Sequence, residues 1–290
     1  MDRYRFIYGH RTRWRVGEMC RVLAVSRSGF YAWQKRDPSR RQQATERLDG
    51  AIKRLYQASR GRSGRPKITR ALWTEDWTVS EKRVAKRMKA MGLRSIVCRR
   101  FRVTTQSKHA FPMAPNRLGR RFQVEAPNRV WVSDITYIRL QQGWVYLAVF
   151  IDLFSRQVVG WALSRSLDHG LVLKALDRAR KKRKPPRGLM IHSDRGVQYA
   201  CTGFRQVLKQ YGYVQSMSRK ADCWDNAVAE SFFHLLKTEL VHHYTWYGYA
   251  DVHAALFEYI ELFYNRERSH STLGYLTPVD FEQQALKTAA

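Results

Sequence analysis

From residue 128 onward the chain alternates between short apolar runs and amphipathic stretches. Val130-Trp131-Val132-Ser133-Asp134-Ile135-Thr136-Tyr137-Ile138 alternates as a strand buried on one or both faces does. Gly143 marks a turn, residues 144–151 form a second apolar run and residues 157–163 a third, with connections short enough to predict an antiparallel meander. A helix over about 168–182 leads to a fourth strand, Leu189-Met190-Ile191-His192-Ser193. A helix near 202–211, a fifth strand near 214–218 and a helical stretch over 225–237 follow.

Ahead of this region the pattern is helical. Residues 14–35 read as helix, tight turn and helix, with Met19, Leu23, Phe30 and Trp33 closing a small core and Ser26 or Ser28 capping the second helix. The theme repeats over 46–58, 66–73 and a third helix after Ser80, which carries Val84, Met88 and Met91 before Gly92 ends it. Residues 98–127 lack periodicity and carry Pro112, Pro115 and Pro127, as a linker does. Five segments result: a basic helix-turn-helix-like segment (1–44), a second helical, helix-turn-helix-like domain (45–97), a linker (98–127), an α/β core (128–245) and a helical extension of that core (246–290). Three strands, helix, strand, helix, strand, helix is the order of a ribonuclease-H-like α/β fold, a mixed five-stranded sheet preceded here by all-α modules. In such a sheet the first and fourth strands are neighbours.

Charge sharpens the division. Of a net +29, residues 1–125 carry 32 Lys and Arg against 9 Asp and Glu, residues 126–290 only 21 against 15. A polyanion-binding region therefore precedes a nearly balanced one. Within it, the third helix presents Lys82, Arg83, Lys86, Arg87 and Lys89 with no acid between 82 and 102, so Arg83, Lys86, Arg87 and Lys89 are expected to meet DNA phosphates, as are Arg27 and Arg65. The run 178–184 sits at a helix carboxyl end, where positive charge complements the dipole and DNA contact is an equal alternative. Cys20, Cys98, Cys201 and Cys223 form no C-x-x-C pair, which argues against a zinc or disulfide framework and fits reduced thiols in a cytoplasmic protein. No apolar run is long enough to span a membrane, and the first residues lack a signal-peptide pattern.

Three carboxylates carry the candidate chemistry. Asp134 interrupts an apolar strand, Asp194 ends the fourth strand, and Glu230 lies on the helical stretch over 225–237, with 35 residues between it and Asp194. Like charges at ~4 Å repel by about 4 kcal/mol at an effective dielectric of ~20, so a converging trio calls for a cation. Carboxylates without His or Cys suit Mg²⁺ or Mn²⁺, and two such ions stabilise both oxygens of an in-line phosphoryl displacement. Lys237, two helical turns after Glu230, shares its face and could reach a phosphate. Asp152 is read as a turn residue and Asp225 as the cap of the Glu230 helix. Asn265, Arg268 and His270 are polar enough for function, while Tyr264 and Leu273 suggest packing.

The segments Trp131-Val132-Ser133-Asp134-Ile135-Thr136-Tyr137, His192-Ser193-Asp194-Arg195-Gly196-Val197-Gln198-Tyr199 and Asp225-Asn226-Ala227-Val228-Ala229-Glu230-Ser231-Phe232-Phe233 resemble the DDE core of bacterial insertion-sequence transposases. The nearest group is the insertion-sequence-three family, whose second reading frame encodes an integrase-like protein. The spacing of the acids, the cation seven residues after the Glu, and the closing string Tyr264-Asn265-Arg266-Glu267-Arg268-Ser269-His270-Ser271-Thr272-Leu273-Gly274-Tyr275-Leu276-Thr277-Pro278 are similar to that family's. Ala221-Asp222 departs from its more usual Gly and small polar residue.

The resemblance implies an integrase catalytic core that cleaves and joins DNA strands at the element's terminal repeats. Asp134 would bridge two ions, Asp194 would hold one and Glu230 the other. It also implies action as a homo-oligomer on terminal-repeat and target DNA, and fusion to or pairing with an upstream helix-turn-helix protein. The rival readings are a ribonuclease-H-like nuclease that hydrolyses without joining, and a catalytically inert DNA-binding regulator.

Overall fold

The computed structural model describes residues 3–96, 112–219 and 223–289. Ala221-Asp222, Cys98 and the first part of the expected linker lie outside them.

Three short helices come first, α1 (Arg3–His10), α2 (Val16–Val22) and α3 (Arg27–Lys35). Ile7, Met19, Cys20 and Phe30 are buried between them, and Ser26 caps α3 by accepting from the Gly29 amide at 2.9 Å. Helix α1 was not expected: Ile7 is its one buried residue, too little for an apolar stripe to be legible, and contact of Tyr4 with Phe30 and Trp33 holds it down.

The second helical module is α4 (Arg40–Ala58), α5 (Arg65–Thr74) and α6 (Glu81–Ala90). Helix α4 starts six residues before the expected Glu46, capped by Ser39, and runs through the expected boundary at 44/45. Leu48, Ile52, Ile68, Leu72, Val84 and Met88 close its core.

The sheet has strands β1 (Val130–Arg139), β2 (Trp144–Asp152), β3 (Val158–Ser164), β4 (Met190–Ser193) and β5 (Val214–Met217) in spatial order β3-β2-β1-β4-β5. β1, β2 and β3 pair antiparallel as the meander predicted, and β4 and β5 join parallel to β1. Alternate residues feed two cores. Trp131, Ala148, Phe150 and Ile191 face α7 (His169–Arg183), α8 (Val197–Ala200) and α9 (Thr202–Tyr211). Val132, Ile138, Val149 and Ile151 face α10 (Ala227–Glu239) and the carboxyl-terminal segment. Helix α7 lies so close on β3 that a Cβ on Gly160 would meet Ala179 Cβ at 2.5 Å and the Ala175 carbonyl at 2.6 Å.

The carboxyl-terminal segment comprises α11 (Tyr249–Phe257), a π-helical continuation (Glu258–Tyr264) and α12 (Pro278–Ala289). Asn265, Arg268 and His270 are buried in it, which resolves their two readings toward structure. Asn265 brackets Val158, accepting its N–H and donating to its C=O, each at 3.0 Å. Arg268 donates to the Glu239 carboxylate at 2.8 Å, and Tyr259 completes that carboxylate's partners at 2.8 Å.

Candidate active site

Parallel pairing of β1 with β4 ends where Ser133 meets Ser193, so Asp134 and Asp194 are the first residues beyond it on adjacent strands. Asp134 shares its strand parity with Val132 and Ile138, on the face covered by α10. That helix brings Glu230 and Lys237 to the same place. Asn226, just ahead of it, donates to the Ser133 carbonyl at 3.3 Å and so ties its start to β1 beside Asp134.

Electrostatics describe one cluster. Burial, then the Asp194 charge, pushes the Asp134 carboxyl well above the ordinary carboxylate range; Glu230 adds to this, while the Ile135 amide at 2.8 Å and the Lys237 ammonium oppose it. Burial and Asp194 also raise Glu230. Burial lowers Lys237 against the pull of Asp134. Asp194 accepts from the Gly196 amide at 2.9 Å, which shapes the turn leaving β4. As placed, no three His, Cys, Asp or Glu side chains among the described residues are disposed to hold a metal ion together. The donor set still fits a hard divalent ion: all three are carboxylates, and mutual repulsion in a partly buried position is the conflict that a cation removes.

Two groups have roles that the sequence reading did not assign. Tyr199 is buried beneath them, its hydroxyl 2.8 Å from Ser133 Oγ. Burial and the charges of Asp134 and Asp194 push it well above its ordinary range, so it stays protonated. Its position five residues after Asp194 was the only available signal. Asp225 does not cap α10. Fully buried, it accepts from the Arg219 guanidinium at 2.8 and 3.0 Å, the Arg219 amide at 2.8 Å, Arg120 at 2.9 Å and Asn116 at 2.8 Å. These partners, Arg219 foremost, hold it well below the usual carboxylate range, and Arg120 and Asn116 among them come from a linker that pattern alone could not place.

Asp152 closes β2 as a turn residue, accepting from the Asn128 and Phe154 amides and the Trp131 indole, away from the trio. His192 is buried between Ser216 and Ser218, and burial lowers it to about 4, so it is a neutral structural imidazole.

The basic residues divide. Arg83, Lys86 and Lys89 are exposed on α6, and Arg27 is exposed on α3 beside Tyr31. Arg87 is instead committed to Asp49 of α4 at 2.5 and 2.7 Å, the balancing acid that local sequence could not reveal. Arg65 pairs with Glu81 at 2.5 Å. The run at the end of α7 is likewise taken up: Arg180 and Lys181 pair with Asp177, Lys182 with Glu261, and Arg183 with Glu282 and Asp152, which favours the structural alternative.

Among the described residues no helix is long and apolar enough to cross a membrane. Family profiles described as "Integrase core domain" match residues 124–223 and 230–286, and one described as "HTH-like domain" matches 43–102. The chain is 40% identical over 286 residues to the transposase InsF for insertion sequence IS3A of Escherichia coli (strain K12), covering 98% of this chain and 99% of that one. It is 41% identical over 272 residues, 94% of this chain and all of the relative, to the insertion element IS600 uncharacterized 31 kDa protein of Shigella sonnei. A simian T-cell lymphotropic virus intasome chain aligns at TM-score 0.48 and 16% identity over 80% of this chain and 74% of its own, a likeness too loose to bear weight. With this relatedness over nearly its full length and an integrase core domain preceded by a helix-turn-helix-like one, the chain belongs to the insertion-sequence-three family of transposases.

Proposed function

We propose that the chain binds the terminal repeats of its element and uses Asp134, Asp194 and Glu230 to hold divalent ions, two Mg²⁺ or Mn²⁺, for DNA cleavage and strand transfer. The observation that carries this reading is the emergence of Asp134 and Asp194 side by side past the β1–β4 pairing, with Glu230 and Lys237 brought to them by one helix. Bound ions supply positive charge at the attacking and leaving oxygens of the phosphodiester. The chain's part is placement and electrostatics.

Asp134 stands centrally, in electrostatic contact with both other acids and with Lys237. The trio must draw together to grip an ion, and α10, tied to β1 through Asn226, is the element that brings Glu230 in. Lys237 is placed to hold the phosphate flanking the cut. Cleavage is attack of water on phosphorus with loss of the 3′ oxygen, which leaves with a proton as a 3′-hydroxyl. In joining, that hydroxyl attacks a target phosphodiester, forms one P–O bond and expels the target's own 3′-hydroxyl. Arg83, Lys86, Lys89 and Arg27 lie outside the cluster on exposed helix faces, suited to contact DNA away from the cut. Two DNA ends call for a homo-oligomer, alone or with an upstream helix-turn-helix protein.

Incubation with DNA carrying adjacent terminal repeats and Mg²⁺ tests the reading, with joined strands as the expected product. Nicking without joining would favour a nuclease, and metal-independent binding alone an inert regulator.

A further inference from the structure

Helix α10 ends at Glu239, where a helix leaves carbonyls without intrahelical partners and carries partial negative charge. The Glu239 carbonyl is capped from another module. Arg62, in the loop between α4 and α5, donates its Nε–H to that oxygen at 3.2 Å. Its guanidinium lies over the Phe263 ring at 4.3 Å and near Tyr259 at 5.5 Å, so that the residue is only 8% exposed.

Both sides of this contact are braced. Behind Arg62, Ser95 donates to its carbonyl at 3.1 Å and Ile96 to that of Gly61 at 3.1 Å. Across from it, the Glu239 carboxylate is locked by Arg268 and Tyr259, which offsets the unfavourable placing of an acid at a helix carboxyl end. Around this centre Arg60 pairs with Glu258, Arg70 lies 5.5 Å from the Tyr275 ring, and Lys67 comes within electrostatic reach of Arg268 and Glu239. A buried arginine is costly unless its surroundings are built to hold it. Here they are, and its acceptor belongs to the helix that carries Glu230.

We propose that Arg62 is a positioning residue for strand transfer: through it the amino-terminal helical module clamps the carboxyl end of α10 and fixes where Glu230 and Lys237 stand against Asp134. The proposal rests on the catalytic reading of Glu230 given above. It makes the basic module more than a DNA anchor, since a shift of that module on DNA is transmitted along a rigid helix to the acids.

The test compares the full chain with Arg62→Ala and Arg62→Lys in three measurements: affinity for terminal-repeat DNA, joining rate with pre-cut ends at saturating DNA, and amide hydrogen exchange. The expected result for Arg62→Ala is a joining rate down at least tenfold, DNA affinity within threefold of wild type, and faster exchange through α10 with α4–α6 unchanged. Arg62→Lys recovers only part of the rate, because an ammonium cannot keep the planar stack on Phe263. Wild-type joining with unchanged exchange in α10 overturns the proposal, as does a loss of joining that merely follows a loss of DNA binding. If Arg62→Ala does not fold, Arg62→Lys carries the test alone, and a rate equal to wild type overturns it. If wild-type protein itself joins nothing, the catalytic reading fails, while hydrogen exchange still decides whether Arg62 holds α10.

Discussion

Ser133 of β1 stands opposite Ser193 of β4 in parallel register, and the pairing goes no further. Beyond that point β1 continues alongside β2 while β4 turns away, which leaves the next residue of each strand, Asp134 and Asp194, facing a common space under α10. Replacing Asp134 or Asp194 by Asn, or Glu230 by Gln, is expected to lower strand joining by about 10²–10³-fold or more, with terminal-repeat affinity retained. Gel assays of joined product and of binding check both halves.

Metal binding should be visible without turnover. Asp134 and Glu230 are raised above their ordinary values, so the stability these two groups contribute to the metal-free protein is complete below about pH 4 and is lost as pH rises through their folded values. Asp134→Asn is expected to flatten that slope. Mg²⁺ at neutral pH should stabilise wild type by about 2.7 kcal/mol at a hundred times its Kd, and Asp134→Asn much less. Thermal unfolding with and without Mg²⁺ measures this; equal Mg²⁺ effects on both proteins would place the ion elsewhere.

Asp225 gathers Arg219, Arg120 and Asn116 around one fully buried carboxylate. Asp225→Ala leaves those donors without their acceptor and, because both guanidinium groups are half-exposed and can be hydrated, is expected to cost about 1–3 kcal/mol, read by denaturant unfolding. Because the folded carboxyl is depressed, its contribution is complete above about pH 4 and fades as pH falls below that. The stability gap between wild type and Asp225→Asn should therefore narrow steadily as pH falls below about 4; a gap that stays constant with pH would contradict the ion-pair account.

Surface and committed cations should behave differently. Arg83→Ala and Lys86→Ala, at exposed positions of α6, are expected to weaken DNA binding about equally for all sequences and to lower the salt slope by about one each. Arg87→Ala should instead destabilise the helical module, because Asp49 loses its bidentate partner. Binding titrations over a salt series, beside melting curves, separate the two classes.

Asn265 fills both hydrogen-bonding groups of Val158. Asn265→Ala leaves a buried N–H and C=O unpaired at the start of β3, at a cost of about 1–3 kcal/mol for each group. Chemical unfolding should register the loss, with DNA affinity of the remaining folded protein unchanged.

The order and type of the core elements were legible because alternation and helical periodicity are local properties, and burial of one face imposes them. The family was legible because the acids, their spacing and the closing string are linear signals. What sequence could not supply was the partner of each charge. Arg87 reads as a free cation until Asp49 arrives from another helix, Asp225 reads as a cap until a linker without periodicity delivers Arg120 and Asn116, and Arg62 is one arginine among many until the loop that bears it meets the end of α10. Ion pairs and helix caps made between separate elements depend on the distance and burial of groups far apart in the chain, and those are fixed only when the layers pack.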